Sequence, residues 1–172
     1  MKIFKLISVL LVIIFFIPNS YAQEPAVSMK YTDIEIEQLI RDFEMEHSQH
    51  VMPPELLQKT FEKHFPRAYD VEWEKAAKVY EVEFNIKGAD YEAYYDEQAN
   101  LIMYKYDVYS TGLSGSIKDK VSRKYPNYKF DDIEKVVKGT EVIYKIEMER
   151  GNYDVKIVIK DDGTIVSEVF DK

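Results

Sequence analysis

The chain of 172 residues contains no cysteine. That absence removes disulfides, thiol nucleophiles, thiolate metal sites and lipid attachment through a cysteine, so any stability in an oxidising compartment must come from packing. Basic residues are also short, at 23 Lys and Arg against 31 Asp and Glu. An acidic surface is repelled by phosphate backbones and anionic membranes, which argues against nucleic acid as a partner. No phosphate-cradling loop, dinucleotide fingerprint or basic patch occurs. Gly112-Leu-Ser114-Gly115-Ser116 lacks the spacing of a nucleophile elbow and reads as a linker.

Long apolar runs are missing too, apart from one at the start. Lys2 and Lys5 precede an apolar stretch from Leu6 to Ile17, 12 residues, followed by Pro18 and the small-x-small site Ser20-Tyr21-Ala22. A bilayer-spanning helix needs roughly 20 residues, whereas this layout is that of a cleavable secretory signal. Residues 1–22 are therefore expected to be a signal peptide cut after Ala22, which leaves no stable membrane anchor and a periplasmic or secreted protein. The remaining 150 residues would carry 21 basic and 31 acidic side chains, a net charge of −10. A chain of that length buries enough surface for one or two small cores.

What the sequence does have is an internal repeat. At an offset of 60, Leu57, Phe61, Lys63, Phe65 and Pro66 fall on Ile117, Val121, Arg123, Tyr125 and Pro126. At the same offset Trp73-Glu74-Lys75 meets Ile133-Glu134-Lys135. After a four-residue insertion the offset becomes 64, and Tyr80, Val82, Glu83 and Phe84 meet Tyr144, Ile146, Glu147 and Met148. One register with one insertion implies duplication.

Each copy predicts a helix followed by a four-stranded meander. Pro53 and Pro54 open a helix carrying Leu57, Phe61 and Phe65, and Pro66 stops it. In the second copy Ser114 or Ser116 caps a helix carrying Ile117, Val121 and Tyr125, stopped by Pro126. The period then becomes two, as in Tyr80-Glu81-Val82-Glu83-Phe84 and Tyr153-Asp154-Val155-Lys156-Ile157, with turns at Gly88, Gly139, Gly151 and Asp162-Gly163. Clean alternation predicts antiparallel sheet with one face packed by the helix and one wet. The fold class expected is α+β: two tandem modules, each a helix on a four-stranded antiparallel sheet, plus an extra N-terminal helix over Asp33–His50 capped by Thr32 or Asp33. That helix carries Ile36, Leu39, Ile40 and Phe43 on one stripe and packs on the first module or bridges the two. The domain limits expected are 23–52 for linker and N-terminal helix, 53–110 for the first module and 111–172 for the second.

The runs Phe61-Glu-Lys-His-Phe65-Pro66, Val71-Glu-Trp73-Glu-Lys75 and Tyr80-Glu-Val-Glu-Phe84 resemble the PepSY-like, beta-lactamase-inhibitor-like family of exported bacterial proteins. Lys124-Tyr125-Pro126, Tyr144-Lys-Ile-Glu147 and Asp161-Asp-Gly163 carry the likeness into the second copy. The resemblance implies tandem modules, an envelope or secreted location and inhibition by binding; it implies no reaction. One departure is Ala99, where the family's turn usually holds Gly.

Candidate sites are few. His47 and His50 share a helix face, but their order with Glu46 is not a metalloprotease pattern, and His64 is matched by Lys124, which suggests a solvent-facing position. Asp161-Asp162-Gly163 is too short for a calcium loop. No catalytic, cofactor-binding or metal-ligating residue is assigned. If Tyr80, Val82, Phe84, Tyr91, Ala93 and Tyr95 face the helix, alternation turns Glu81, Glu83, Glu92 and Tyr94 outward as the candidate partner-binding face. The last strand of the first copy is apolar on both sides, with Leu101 and Met103 on one and Ile102, Tyr104 and Tyr106 on the other. The function expected is a non-catalytic binding module of the envelope, protein-binding or enzyme-inhibitor-like. The alternative is a small-ligand or cation-binding periplasmic protein.

Overall fold

The structure, a computed structural model, describes residues 24–171. The expected signal peptide and its cleavage site lie outside the described residues.

Three α-helices form among the described residues where a capping residue or a proline precedes apolar side chains at helical spacing. Helix α1 (Asp33–Met45) opens on a capping box, in which Thr32 accepts from the Glu35 amide and the Glu35 carboxylate accepts from the Thr32 amide. Helix α2 (Glu55–His64) starts after Pro54, and helix α3 (Gly115–Lys124) is capped by Ser114, whose hydroxyl accepts from the Ile117 amide. Both end just before an aromatic-proline pair, Phe65-Pro66 and Tyr125-Pro126, because the residue before proline is driven out of the helical region. The expected extension of α1 to His50 is not observed. No apolar residue follows Met45 until Val51, and Gln49–His50 instead form a short edge strand, β1.

The remaining strands are β2 (Tyr69–Ala76), β3 (Val79–Ile86), β4 (Ala89–Asp96), β5 (Leu101–Asp107), β6 (Lys129–Lys138), β7 (Glu141–Arg150), β8 (Tyr153–Lys160) and β9 (Ile165–Asp171). All nine join one antiparallel sheet in sequential order. The expectation of two separate four-stranded sheets is corrected at β5–β6, which pair through Met103↔Lys138, Tyr104↔Val137 and Tyr106↔Lys135. An open edge strand on either half would leave backbone donors and acceptors unpaired, and the pairing removes both edges at once.

The faces follow from the registers. The row Phe84↔Tyr91↔Tyr106↔Lys135↔Tyr144↔Ile159 lies on one face. On it α2 buries Leu57, Phe61 and Phe65 against Val82, Phe84, Ala93 and Tyr95, while α3 buries Ile117, Val121 and Tyr125 against Ile146, Val155 and Ile157. Helix α1 covers the opposite face, where Ile36 and Phe43 meet Ala76, Val79, Tyr94, Ile102, Met103 and Val136. Its core therefore reaches from β2 to β6 and bridges the seam.

A bulge explains the doubly apolar β5. Tyr94 faces Met103 but Tyr95 faces Leu101, so Ile102 is an extra residue. Leu101, Tyr104 and Tyr106 consequently face α2 while Ile102 and Met103 both face α1, which corrects the simple alternation expected.

Ala99, in the β4–β5 turn, sits at φ +62°. This left-handed conformation costs an L-residue roughly 1–2 kcal/mol. Ala99→Gly is expected to stabilise the protein by about 1 kcal/mol, read as a higher melting temperature.

Candidate functional site

The four residues singled out as a partner-binding face do share the face opposite α2 and α3, but they are not equally open. Tyr94 is 4% exposed and Glu81 8%, because α1 lies over them; the Tyr94 ring meets Phe43 edge-on at 5.9 Å. Glu83 is exposed and Glu92 half-buried. The expected exposure of Glu81 and Tyr94 is thus corrected, since the amphipathic helix upstream of the repeat needed an apolar surface and this face supplied it.

Beyond the rim of α1 the cross-strand pairing concentrates negative charge. Glu72↔Glu83↔Glu92 form a row across β2, β3 and β4, and Glu74↔Glu81 sit opposite each other in the next row on the same face. Like charges directly opposite destabilise a sheet. Compensation sits at the two ends: the Lys105 ammonium lies 2.7 Å from Glu92 and 3.3 Å from Glu134, Lys145 reaches Glu134 at 2.7 Å, and Glu74 accepts from the Ser48 hydroxyl beside His50. Burial and then the neighbouring Glu92, Glu74 and Glu72 raise the Glu83 carboxyl above its usual range. Sequence reading missed Glu72 and Glu74. Counting back through the two-residue Ala77-Lys78 turn would have placed both opposite the chosen glutamates.

Glu81 is the most perturbed acid of the group. Burial pushes its carboxyl from 4.5 to about 7; the Tyr94 hydroxyl opposes the rise, Glu92 and Glu83 add to it, and Lys105 opposes it. The Tyr94 hydroxyl itself donates to Glu92 at 2.9 Å. Because the folded value lies above the unfolded one, the native state holds this proton more tightly. Its contribution to stability is complete below about pH 4.5 and is lost as pH rises to about 7. Glu81→Gln is expected to flatten stability across that window and to raise the melting temperature at pH 8, measured by calorimetry in a pH series.

Other candidates fall in place as follows. His64 is not solvent-facing: its ring is half-buried, stacks on Tyr95 at 6.0 Å, and its Nδ1 lies 3.1 Å from the Tyr95 hydroxyl. His50 pairs loosely with Glu74 at 3.5 Å across β1–β2. An open cavity of about 330 Å³ between the β3–β4 turn and the start of β6 is lined by Asp90, Asp107, Asp131 and Asp132. Among the described residues no three His, Cys, Asp or Glu converge as metal ligands would. No helix there is long and apolar enough to cross a membrane.

The arrangement defines an α+β protein with an open nine-stranded antiparallel sheet, helices on both faces and a charged strip left uncovered. Solved structures share this fold. A DUF2874 family protein from Bacteroides ovatus aligns with a TM-score of 0.59 at 19% identity, over 70% of this chain and 89% of that one. A BLIP-like protein from Bacteroides fragilis aligns with a TM-score of 0.60 at 20% identity, over 70% and 87%. A Bacteroides eggerthii protein provisionally described as periplasmic aligns at 0.61 with 14% identity, over 70% and 90%. At such identities the likeness is one of fold. No family profile matches the chain, and no curated protein does.

Proposed function

We propose that this is an exported envelope protein that binds another protein, without chemistry of its own, through the acidic strip Glu72, Glu83 and Glu92 flanked by Glu74 and Glu81. The partner presents lysine or arginine side chains to that strip. The observation carrying this reading is the row of cross-strand glutamates, which costs stability and is offset inside the fold at Glu92, by Lys105 and Tyr94, while no side chain of the fold pairs with Glu72 or Glu83 among the described residues. Residues that weaken the scaffold while pointing at solvent are placed there for contact. In this reading the chain is two tandem PepSY-like copies, 53–110 and 111–172, behind a signal peptide cut after Ala22. The fold shared with a BLIP-like protein and with one provisionally described as periplasmic supports both the location and inhibition by binding.

Neutralising the strip separates binding from folding. Glu72→Gln combined with Glu83→Gln should raise stability by about 0.2–1 kcal/mol per relieved pair while abolishing capture. Immobilised parent and variant, exposed to envelope extract of the source cells, test this by mass spectrometry of what each retains. A protein held by the parent, lost from the folded variant and released by salt supports the proposal. Equal retention by both, or none by either, rejects it.

A further inference from the structure

Residues 24–28 run along the β5–β6 seam on the α2/α3 face, and the chain then passes the β4–β5 turn at Lys30 and Tyr31 to reach α1 on the opposite face. Val27 packs into the core under α2, the Ser28 amide donates to the Leu101 carbonyl at 2.8 Å, and Lys30 and Tyr31 both reach Asp96. At the other end one Glu24 carboxylate oxygen accepts from the Tyr106 hydroxyl and from the Lys135 ammonium, each at 2.8 Å. Tyr106 on β5 and Lys135 on β6 are cross-strand partners, so the two donors come from opposite sides of the seam. The Tyr106 ring stacks on Tyr91 at 4.6 Å, and the ammonium sits 5.5 Å from the Tyr106 centroid.

Two features go beyond an ordinary ion pair. First, the receptor is more enclosed than its occupant: the Lys135 side chain is 15% exposed and that of Glu24 is 53% exposed. Second, a donor is left over. Tyr104 is 1% exposed and lines the same small cavity of about 80 Å³ with Glu24, Pro25, Phe65, Tyr91 and Tyr106, and its hydroxyl lies near the Glu24 carboxylate without making a well-formed hydrogen bond to it or to any other described residue. A buried hydroxyl without a well-formed partner costs stability, and a ligand that satisfied it would regain that. Burial opposes the charged form of Glu24, but hydrogen bonds from Lys135 and Tyr106 outweigh it and hold the carboxyl below its usual range.

We propose that this seam pocket is a carboxylate-binding site and that Glu24 is its tethered occupant, displaced when a carboxylate from outside takes its place. Lys135 supplies the charge, and the Tyr106 and Tyr104 hydroxyls supply two donors. The carboxylate comes from a small organic acid or from an acidic side chain of a protein segment. This site lies on the face opposite the glutamate strip and does not rest on it.

The test uses the full chain with Glu24→Ala, ring-labelled at tyrosine and followed by NMR. The probes are acetate, the capped peptide acetyl-Glu-Pro-Ala-Val-amide that copies residues 24–27, and acetamide as the uncharged control, at constant ionic strength. Acetate should shift the Tyr104 and Tyr106 ring signals saturably, and acetamide should not. The parent should need measurably more acetate, because the tethered Glu24 competes for the same donors at its effective concentration. Lys135→Met added to Glu24→Ala should remove the response. A peptide that saturates below acetate assigns the site to an acidic protein segment; equal midpoints assign it to small acids. Absence of saturation by about 0.1 M, equal midpoints in parent and variant, or acetamide acting like acetate would overturn the site. Glu24→Gln, which keeps the shape of the side chain, provides the same comparison should the alanine variant fold poorly.

Discussion

Replacing Phe65 by alanine is expected to destabilise the protein by about 3–5 kcal/mol, the range for deleting a buried aromatic side chain. Phe65 is 4% exposed and forms the hub of the first aromatic core, with ring centroids 4.7 Å from Phe84, 5.7 Å from Phe61 and 5.7 Å from Tyr104. It also terminates α2, its amide donating to the Phe61 carbonyl at 2.8 Å. Because domains of this size hold only about 5–15 kcal/mol in total, the variant should be close to unfolding at body temperature. Urea titration gives the number, and the single tryptophan adds a second reading. Trp73 lies 5.4 Å from the Phe61 ring and reports the α2 core alone, whereas far-ultraviolet dichroism reports the whole sheet. Since β5 pairs with β6, both probes should share one midpoint, in the variant as in the parent. Two midpoints would show that the halves unfold separately.

Asp96→Asn should be nearly as damaging, at about 3 kcal/mol, because it leaves buried donors facing an amide. The carboxylate is 3% exposed and accepts at one oxygen from the Gln98 and Asn100 amides, and at the other from Lys30, Tyr31 and the Asn100 side chain, all between 2.7 and 2.9 Å. An asparagine keeps one acceptor and turns the other into a donor aimed at donors. Burial would raise this carboxyl, but the bonds from Lys30, Asn100 and Tyr31 overcome it and hold it at about 2, against an ordinary value of 3.8. The folded value lies below the unfolded one, so the stabilisation is present above about pH 4 and disappears as pH falls toward 2. Acid titration of both proteins checks this: the parent should lose stability across that window, and Asp96→Asn should not show that component.

The helices were readable from residues alone. Leu57, Phe61 and Phe65 at four-residue spacing before Pro66 left little choice for α2, and their counterparts Ile117, Val121 and Tyr125 did the same for α3. Alternation also placed Val82, Phe84, Ala93 and Tyr95 correctly under α2. What could not be read was anything decided between distant segments. Alternation gives a strand two faces but does not name its neighbours, so the union of β5 with β6 left no mark. Ile102 and Met103 are consecutive apolar residues, and only the bulge opposite Tyr94 and Tyr95 tells which way each points. The stripe on α1 announced that it needed a surface, not that the surface would include Tyr94 and take Glu81 out of water. Half of the candidate site was lost to that one docking event. The contact of Glu24 with Lys135 spans 111 positions, far beyond any local pattern.

That long reach bears on how the molecule assembles in time. Glu24 waits for Lys135, and Glu37 waits for Lys138, 101 positions later. Closing loops of that length is entropically slow compared with forming neighbouring hairpins, which account for every step of the sheet order except β1–β2 and β5–β6, each joined through a helix. Residues 24–28 are thus synthesised before the strands that hold them and placed after those strands have paired. Until β6 exists, α1 can cover only the strands of the first half, and residues 24–28 have one wall of their groove without the other. The meander can zip strand by strand behind them, and the N-terminal segment then closes over a sheet that is already complete, like a latch fitted after the door is hung.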